Sequence, residues 1–233
     1  MAEQTRAAGN IYDLGYRPYS GPRLGRRYAV TSLFLFSLRA VFGLGRPAWS
    51  KVFPWGLAVI ASIPALVQLA IAALAPADLT LIRHEDYFGY VQVILALFCA
   101  VSSPEIVGRD QRNHTLALYF SRALSRADYV SAKVGALTVA LGAVLLLPQI
   151  VLLLGSAVAT DDLVGYMRDN VDLVPPIAAS SALAAAFMAS VSLAIASQTS
   201  RRAFATGAVL AYFVIFATLG GILVETTTGD VQK

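Results

Sequence analysis

The chain has 233 residues, 57% of them hydrophobic and 14% charged, with a net charge of +4 and a single cysteine. A soluble domain carries roughly 25% charged residues, and the apolar blocks here are too long for globular cores, so an integral membrane protein is expected. Cys99 alone excludes a disulfide framework and a CxxC metal or redox site, and the positive charge is a matter of membrane topology rather than of a nucleic-acid partner.

Residues 1–51 form the first region. Tyr16-Arg17-Pro18-Tyr19-Ser20-Gly21-Pro22 reads as an extended cytoplasmic strap. Arg26-Arg27 precedes an apolar run, but Arg39 interrupts that run and no small-residue cleavage site follows, which rejects a twin-arginine export signal. A spanning helix over 28–45 is disfavoured as well, because a central arginine costs about 2.5–3.5 kcal/mol. An interfacial helix fits better: Arg27, Thr31 and Arg39 stay near water while Tyr28, Leu33, Phe34, Leu38, Val41 and Phe42 enter the acyl boundary. The wide apolar arc also permits packing against the spans, and a disordered tail on lipid headgroups is the plainer alternative. Gly43-Leu44-Gly45-Arg46-Pro47 ends the helix.

A helix needs about 20 apolar residues to cross hydrocarbon. Five segments qualify within a transmembrane domain at 52–224: roughly 53–76, 87–107, 129–158, 173–198 and 203–224. Pro64 and Pro148 predict kinks. Gln68, Gln92 and Gln149 suit interhelical hydrogen bonds, with a substrate path as the second reading. Ala178, Ala182, Ala186, Ser190 and Ala194 recur every four residues and allow close helix approach, as do Gly207 and Ala211, either inside the bundle or between two copies.

Loop charges set the orientation. Residues 1–51 carry eight Lys/Arg, 105–133 five and 199–202 two, together fifteen of the eighteen. The 77–86 loop, the 158–173 loop and the 225–233 tail carry one each, against three, four and two acidic residues. Basic and acidic segments alternate at every crossing, which places the N-terminus in the cytoplasm and the tail outside.

No constellation for bond chemistry is visible. None of Lys51, Lys133 and Lys233 follows a glycine, so the chain has no P-loop. His84 and His114 fall on opposite sides of the membrane and cannot share a metal, and Arg83-His84-Glu85-Asp86 reads as a solvated external loop. The spans hold few ionisable groups, which argues against ion-coupled transport and for energy supplied from elsewhere.

One polar segment between spans, 108–128 with its flanks, stands out. It reads Arg109-Asp110-x-Arg112-x-x-Thr115-Leu116-x-Leu118-Tyr119-x-Ser121-Arg122-x-Leu124-Ser125-Arg126-x-Asp128-Tyr129-x-x-Ala132-Lys133. This resembles the first intracellular loop of ABC-2-type transporter permeases, and Tyr12-Asp13-Leu14-Gly15-Tyr16-Arg17-Pro18-Tyr19-Ser20-Gly21-Pro22-Arg23 resembles actinobacterial-type members. The resemblance implies an all-α helical bundle of five visible spans, six being common in the family, preceded by an interfacial elbow helix. A sixth span would then be missing from these residues. It further implies a multi-pass subunit of a bacterial plasma-membrane exporter, with no catalysis and no cofactor of its own. ATP and magnesium would be bound by a separate ABC ATPase subunit, and a second permease copy or homologous permease would complete the transporter.

The interface with that ATPase is expected at Glu105, Arg109, Asp110, Arg112, Thr115, Leu116, Tyr119, Phe120, Ser121, Arg122, Leu124, Ser125 and Arg126. Thr115 suits an N-cap, and Leu116, Tyr119 and Phe120 give a short apolar face. Arg112, Arg122 and Arg126 can fork onto carboxylates of the partner, while Glu105 and Asp110 orient the arginines or bridge to the partner. The family often has glycine where His114 stands and proline where Ala123 stands. A membrane scaffold that recruits a cytosolic protein through the same basic loop is the rival reading.

Overall fold

The computed structural model describes residues 21–22, 24–74, 87–121, 124–159 and 163–231. The first part of the strap, Arg83, His84, Arg122 and Ala123 therefore lie outside the described residues. Among those described, all regular structure is helical. The order is α1 (Gly25–Val41), α2 (Trp49–Leu74), α3 (Tyr87–Ser103), a π-helical turn (Pro104–Gly108), α4 (Arg109–Arg112) and α5 (Leu116–Phe120). Then come α6 (Arg126–Ala159), α7 (Leu163–Asn170), a 3₁₀ turn (Val171–Leu173), α8 (Val174–Ala196) and α9 (Arg202–Val231).

Five runs are long and apolar enough to cross a membrane: Trp49–Ile71, Tyr87–Arg112, Arg126–Val158, Val164–Ala196 and Arg202–Leu223. They overlie the five expected spans, and the chain is a multi-pass membrane protein, all-helical over its described residues. In hydrocarbon every backbone group must be satisfied within its own segment, which is why these apolar, alanine-rich runs become helices. Pro64 and Pro148 stay inside continuous helices. Near Pro64, Tyr87 Oη donates to the Ala61 carbonyl at 2.6 Å, a bond from α3 into α2. The last helix stays helical through Val231, past the end of the expected span.

Helix α6 is the hub, packing most extensively against α8, α1 and α2. Its Ala136, Leu137, Ala140 and Leu141 are fully buried. Apolar burial drives little association inside lipid, so close packing and interhelical hydrogen bonds carry the contact. Gln149 of α6 donates to Ser181 Oγ of α8 at 3.3 Å, which meets the interhelical reading of that glutamine. The small-residue stripe does not pack inside the chain. Ala178, Ala182, Ser190 and Ala194 are exposed, and α8 buries Ser181, Ala185, Ala189, Ser192 and Ala196 instead. Both faces of α8 are rich in alanine and serine, and residue size alone did not distinguish them.

Helix α1 packs against α6 and buries Leu33, Ser37 and Val41. The packing against a span that the wide apolar arc permits is thus present, and Tyr28 stays exposed on the other side of α1 from these contacts. Phe34 of α1 lies over Gly135 of α6, where an added Cβ would meet its ring at 3.5 Å, an ordinary contact. The helix ends in a Schellman motif. Leu44 N–H donates to the Arg39 carbonyl at 2.8 Å and Gly43 N–H to the Ala40 carbonyl at 3.1 Å, with Gly43 at φ +64°. A Cβ at Gly43 would collide with the Ser50 carbonyl. Gly43→Ala is therefore expected to cost about 1–3 kcal/mol, measured as unfolding free energy in detergent.

Candidate functional site

The polar hairpin begins where α3 stops being regular. Pro104 has no N–H, and the chain widens into the π turn Pro104–Gly108 before resuming as α4. Lys133, on the first turns of α6, reaches across and donates to the Ile106 carbonyl of that turn at 3.0 Å. The same ammonium pairs with Asp110 Oδ2 at 2.8 Å, and Tyr129 Oη donates to that oxygen at 2.8 Å. Asp110 and Lys133 are both buried. Tyr129 and Lys133 stand four residues apart on one face of α6, and together they latch the start of the hairpin to the third span.

A second fixed point is Glu105, which accepts from Arg46 Nη1 at 2.6 Å and Arg202 Nη1 at 2.7 Å. One carboxylate thereby joins the α1–α2 turn, the end of the second span and the start of α9. Ser125 and Asp128 form a capping box at the start of α6: Ser125 N–H donates to Asp128 Oδ2 at 2.9 Å, and Asp128 N–H donates to Ser125 Oγ at 3.2 Å. Arg26 of α1 clamps the box through both carboxylate oxygens of Asp128, at 2.8 and 2.9 Å. That bidentate contact raises the Arg26 pKa above its ordinary value.

The turn between α8 and α9 lies against the hairpin. Gln111 Nε2 donates to the Ser197 carbonyl at 2.7 Å, and Arg112 Nη1 to the Ser200 carbonyl at 3.3 Å. The three basic segments of the sequence thus meet at one end of the bundle, as the charge alternation requires.

The expected interface residues divide into two groups. Glu105, Asp110, Leu116, Tyr119, Leu124 and Ser125 have their side chains engaged within the chain, Glu105 and Asp110 on basic groups of other elements. Leu116 and Tyr119 pack on Leu33, Leu124, Tyr129 and Ala132, because α5 turns its apolar side inward onto α1 and α6. Burial, and after it the Asp110 carboxylate, raises the Tyr119 pKa, while Arg109 opposes the shift. Thr115 occupies the N-cap position but caps nothing: its backbone is helical and its Oγ1 donates to the Asp110 carbonyl at 3.2 Å.

Arg109, Arg112, Phe120, Ser121 and Arg126 are exposed. Phe120 also meets the Tyr129 ring edge-on at 5.9 Å, and Ser121 Oγ donates to the Leu118 carbonyl at 3.0 Å. Arg122 lies outside the described residues. Leu118, absent from the expected set, is 66% exposed, the most exposed large apolar side chain among the described hairpin residues. Its signal was available, since on a short helix it projects about 100° per residue away from its neighbours and so opposite Leu116. The 197–201 turn had no comparable signal.

His114 adopts φ +53°, the left-handed region, at the position where glycine is common in the resemblance. An L side chain there costs roughly 1–2 kcal/mol. His114→Gly is expected to stabilise the fold by up to about 1 kcal/mol, read from the denaturation midpoint. Among the described residues no group of three or more His, Cys, Asp or Glu could hold a metal ion.

Comparison with protein-family models, with curated proteins and with solved structures finds no match for this chain. What the fold and site define is a multi-pass helical membrane protein with a braced, basic, outward-facing hairpin at one end of its bundle.

Proposed function

We propose that this chain is the membrane-spanning permease subunit of an ATP-driven ABC-2-type exporter in a bacterial plasma membrane, with its N-terminus in the cytoplasm. The hairpin receives a separate ATPase subunit, and two permease copies, or this one and a homologous permease, complete the assembly. The chain does no bond chemistry itself; ATP and magnesium belong to the ATPase. The observation that supports this reading is mechanical. The hairpin presents Arg109, Arg112, Leu118 and Arg126 outward, while the Asp110–Lys133 pair and the Glu105 bridges tie its base to the α1–α2 turn, α6 and α9. A surface fixed in this way passes a displacement of its partner to several spans at once, as coupling between distant sites requires.

Two steps test it. The solubilised complex should copurify with a P-loop ATPase, and its absence would leave the scaffold reading in place. In reconstituted vesicles, Arg112→Glu combined with Arg122→Glu is expected to uncouple ATP hydrolysis from transport without reducing membrane insertion. Unchanged transport in that variant would remove the coupling role.

A further inference from the structure

At the end of the bundle that carries the hairpin, a cavity of about 360 Å³ opens between the end of α1, the start of α2 and the adjoining ends of α3 and α9. Two guanidinium groups converge there on one carboxylate, Arg46 on Glu105 Oε2 and Arg202 on Glu105 Oε1. Two cations and one anion leave the site a formal charge of +1. Arg46 Nη2 is buried and has no hydrogen-bond partner, and an unmatched buried donor is costly. Its natural complement is an anion with several acceptor oxygens, since guanidinium binds phosphate as a fork.

The surroundings specify the source of that anion. Trp49 is 86% exposed and Phe53 is 53% exposed at the mouth, where the first span leaves hydrocarbon and aromatic side chains sit at headgroup level. Val41 and Val101 give the cavity an apolar wall. The first turn of α2 adds the partial positive charge of a helix N-terminus. Glu105 is the one carboxylate among the lining residues and both its oxygens are taken, so a choline headgroup finds no counter-charge.

We propose that this cavity binds the phosphate of an anionic phospholipid, with the phosphate on Arg46 and Arg202 and an acyl chain along Phe53. The site holds in whichever leaflet this end of the bundle lies, so it stands apart from the transporter reading.

The test uses the full chain in neutral detergent, titrated with dioleoylphosphatidylglycerol, dioleoylphosphatidylcholine or inorganic phosphate, and read by native mass spectrometry and thermal shift. Phosphatidylglycerol should saturate one site per chain and bind about tenfold tighter than phosphatidylcholine, with inorganic phosphate much weaker than either. Arg46→Gln should abolish the preference. Each change strips one partner from Glu105, so Arg202→Gln serves as the second variant: it keeps the shorter Arg46–Glu105 pair and the unpartnered Arg46 Nη2, and should weaken phosphatidylglycerol about fivefold. Arg201→Gln, outside the cavity, should leave it unchanged. Equal binding of the two lipids, or native affinity in both Arg46→Gln and Arg202→Gln, overturns the site. Inorganic phosphate matching phosphatidylglycerol overturns the lipid assignment.

Discussion

Asp110→Asn is expected to be the most damaging single change in the hairpin, lowering stability by about 3–5 kcal/mol, the usual cost of leaving one member of a buried ion pair alone. The Lys133 side chain is 3% exposed, and among the described residues its carboxylate partner is Asp110 at 2.8 Å. Asparagine keeps an acceptor for the Tyr129 hydroxyl, so the loss isolates the charge rather than the hydrogen bond. Adding Lys133→Met removes the orphaned cation and should recover most of the stability, since a buried pair is often worth no more than an apolar replacement. Unfolding of the two variants in detergent measures both effects. If the single and double variants are equally unstable, the latch works through packing and not through charge. Under the proposed transport function the double variant also separates stability from mechanism: a bundle that is stable but no longer transports would place the latch in the transmission path.

Leu118→Asp should have the opposite profile, with stability within about 0.5 kcal/mol of native and partner binding severely reduced. The side chain is 66% exposed and belongs to the same hairpin as the exposed Arg109, Arg112 and Arg126. An exposed leucine on a basic hairpin has the form of an interface anchor, and such anchors cost about 2–4 kcal/mol when lost. Under the proposed docking of an ATPase subunit, that corresponds to a fall in its affinity of thirtyfold or more, measured by pull-down or surface plasmon resonance. Arg126→Glu at the rim should act more weakly and mainly on the association rate, in a salt-dependent way. Native affinity for Leu118→Asp would move the docking surface elsewhere on this end of the bundle, with the 197–201 turn as the next place to test.

Much of the fold was legible because hydrocarbon imposes a coarse and strict rule. Five apolar runs and an alternation of basic and acidic loops needed only counting. The end of α1 was legible too, since Gly43 and Gly45 at φ +64° and +82° do what glycine does at helix ends. The face of each helix was harder. In α8 alanine and serine occur on every side, so spacing alone favoured Ala178, Ala182 and Ala186 over the stripe that is buried. A one-position rotation of a uniform helix leaves no trace in composition.

The hairpin divides in the same way. The sequence by itself determined that a polar, arginine-bearing segment must sit at a membrane surface, because a charged loop cannot remain in hydrocarbon. It also determined that three basic segments share that side. Only the tertiary structure decided which charges are spent internally. Glu105 lies 59 residues from Arg46 in sequence, and Asp110 lies 23 residues from Lys133, so no local pattern announces either pair. A carboxylate near the membrane surface either faces water or finds a cation, and which of these happens depends on the helix packed beside it.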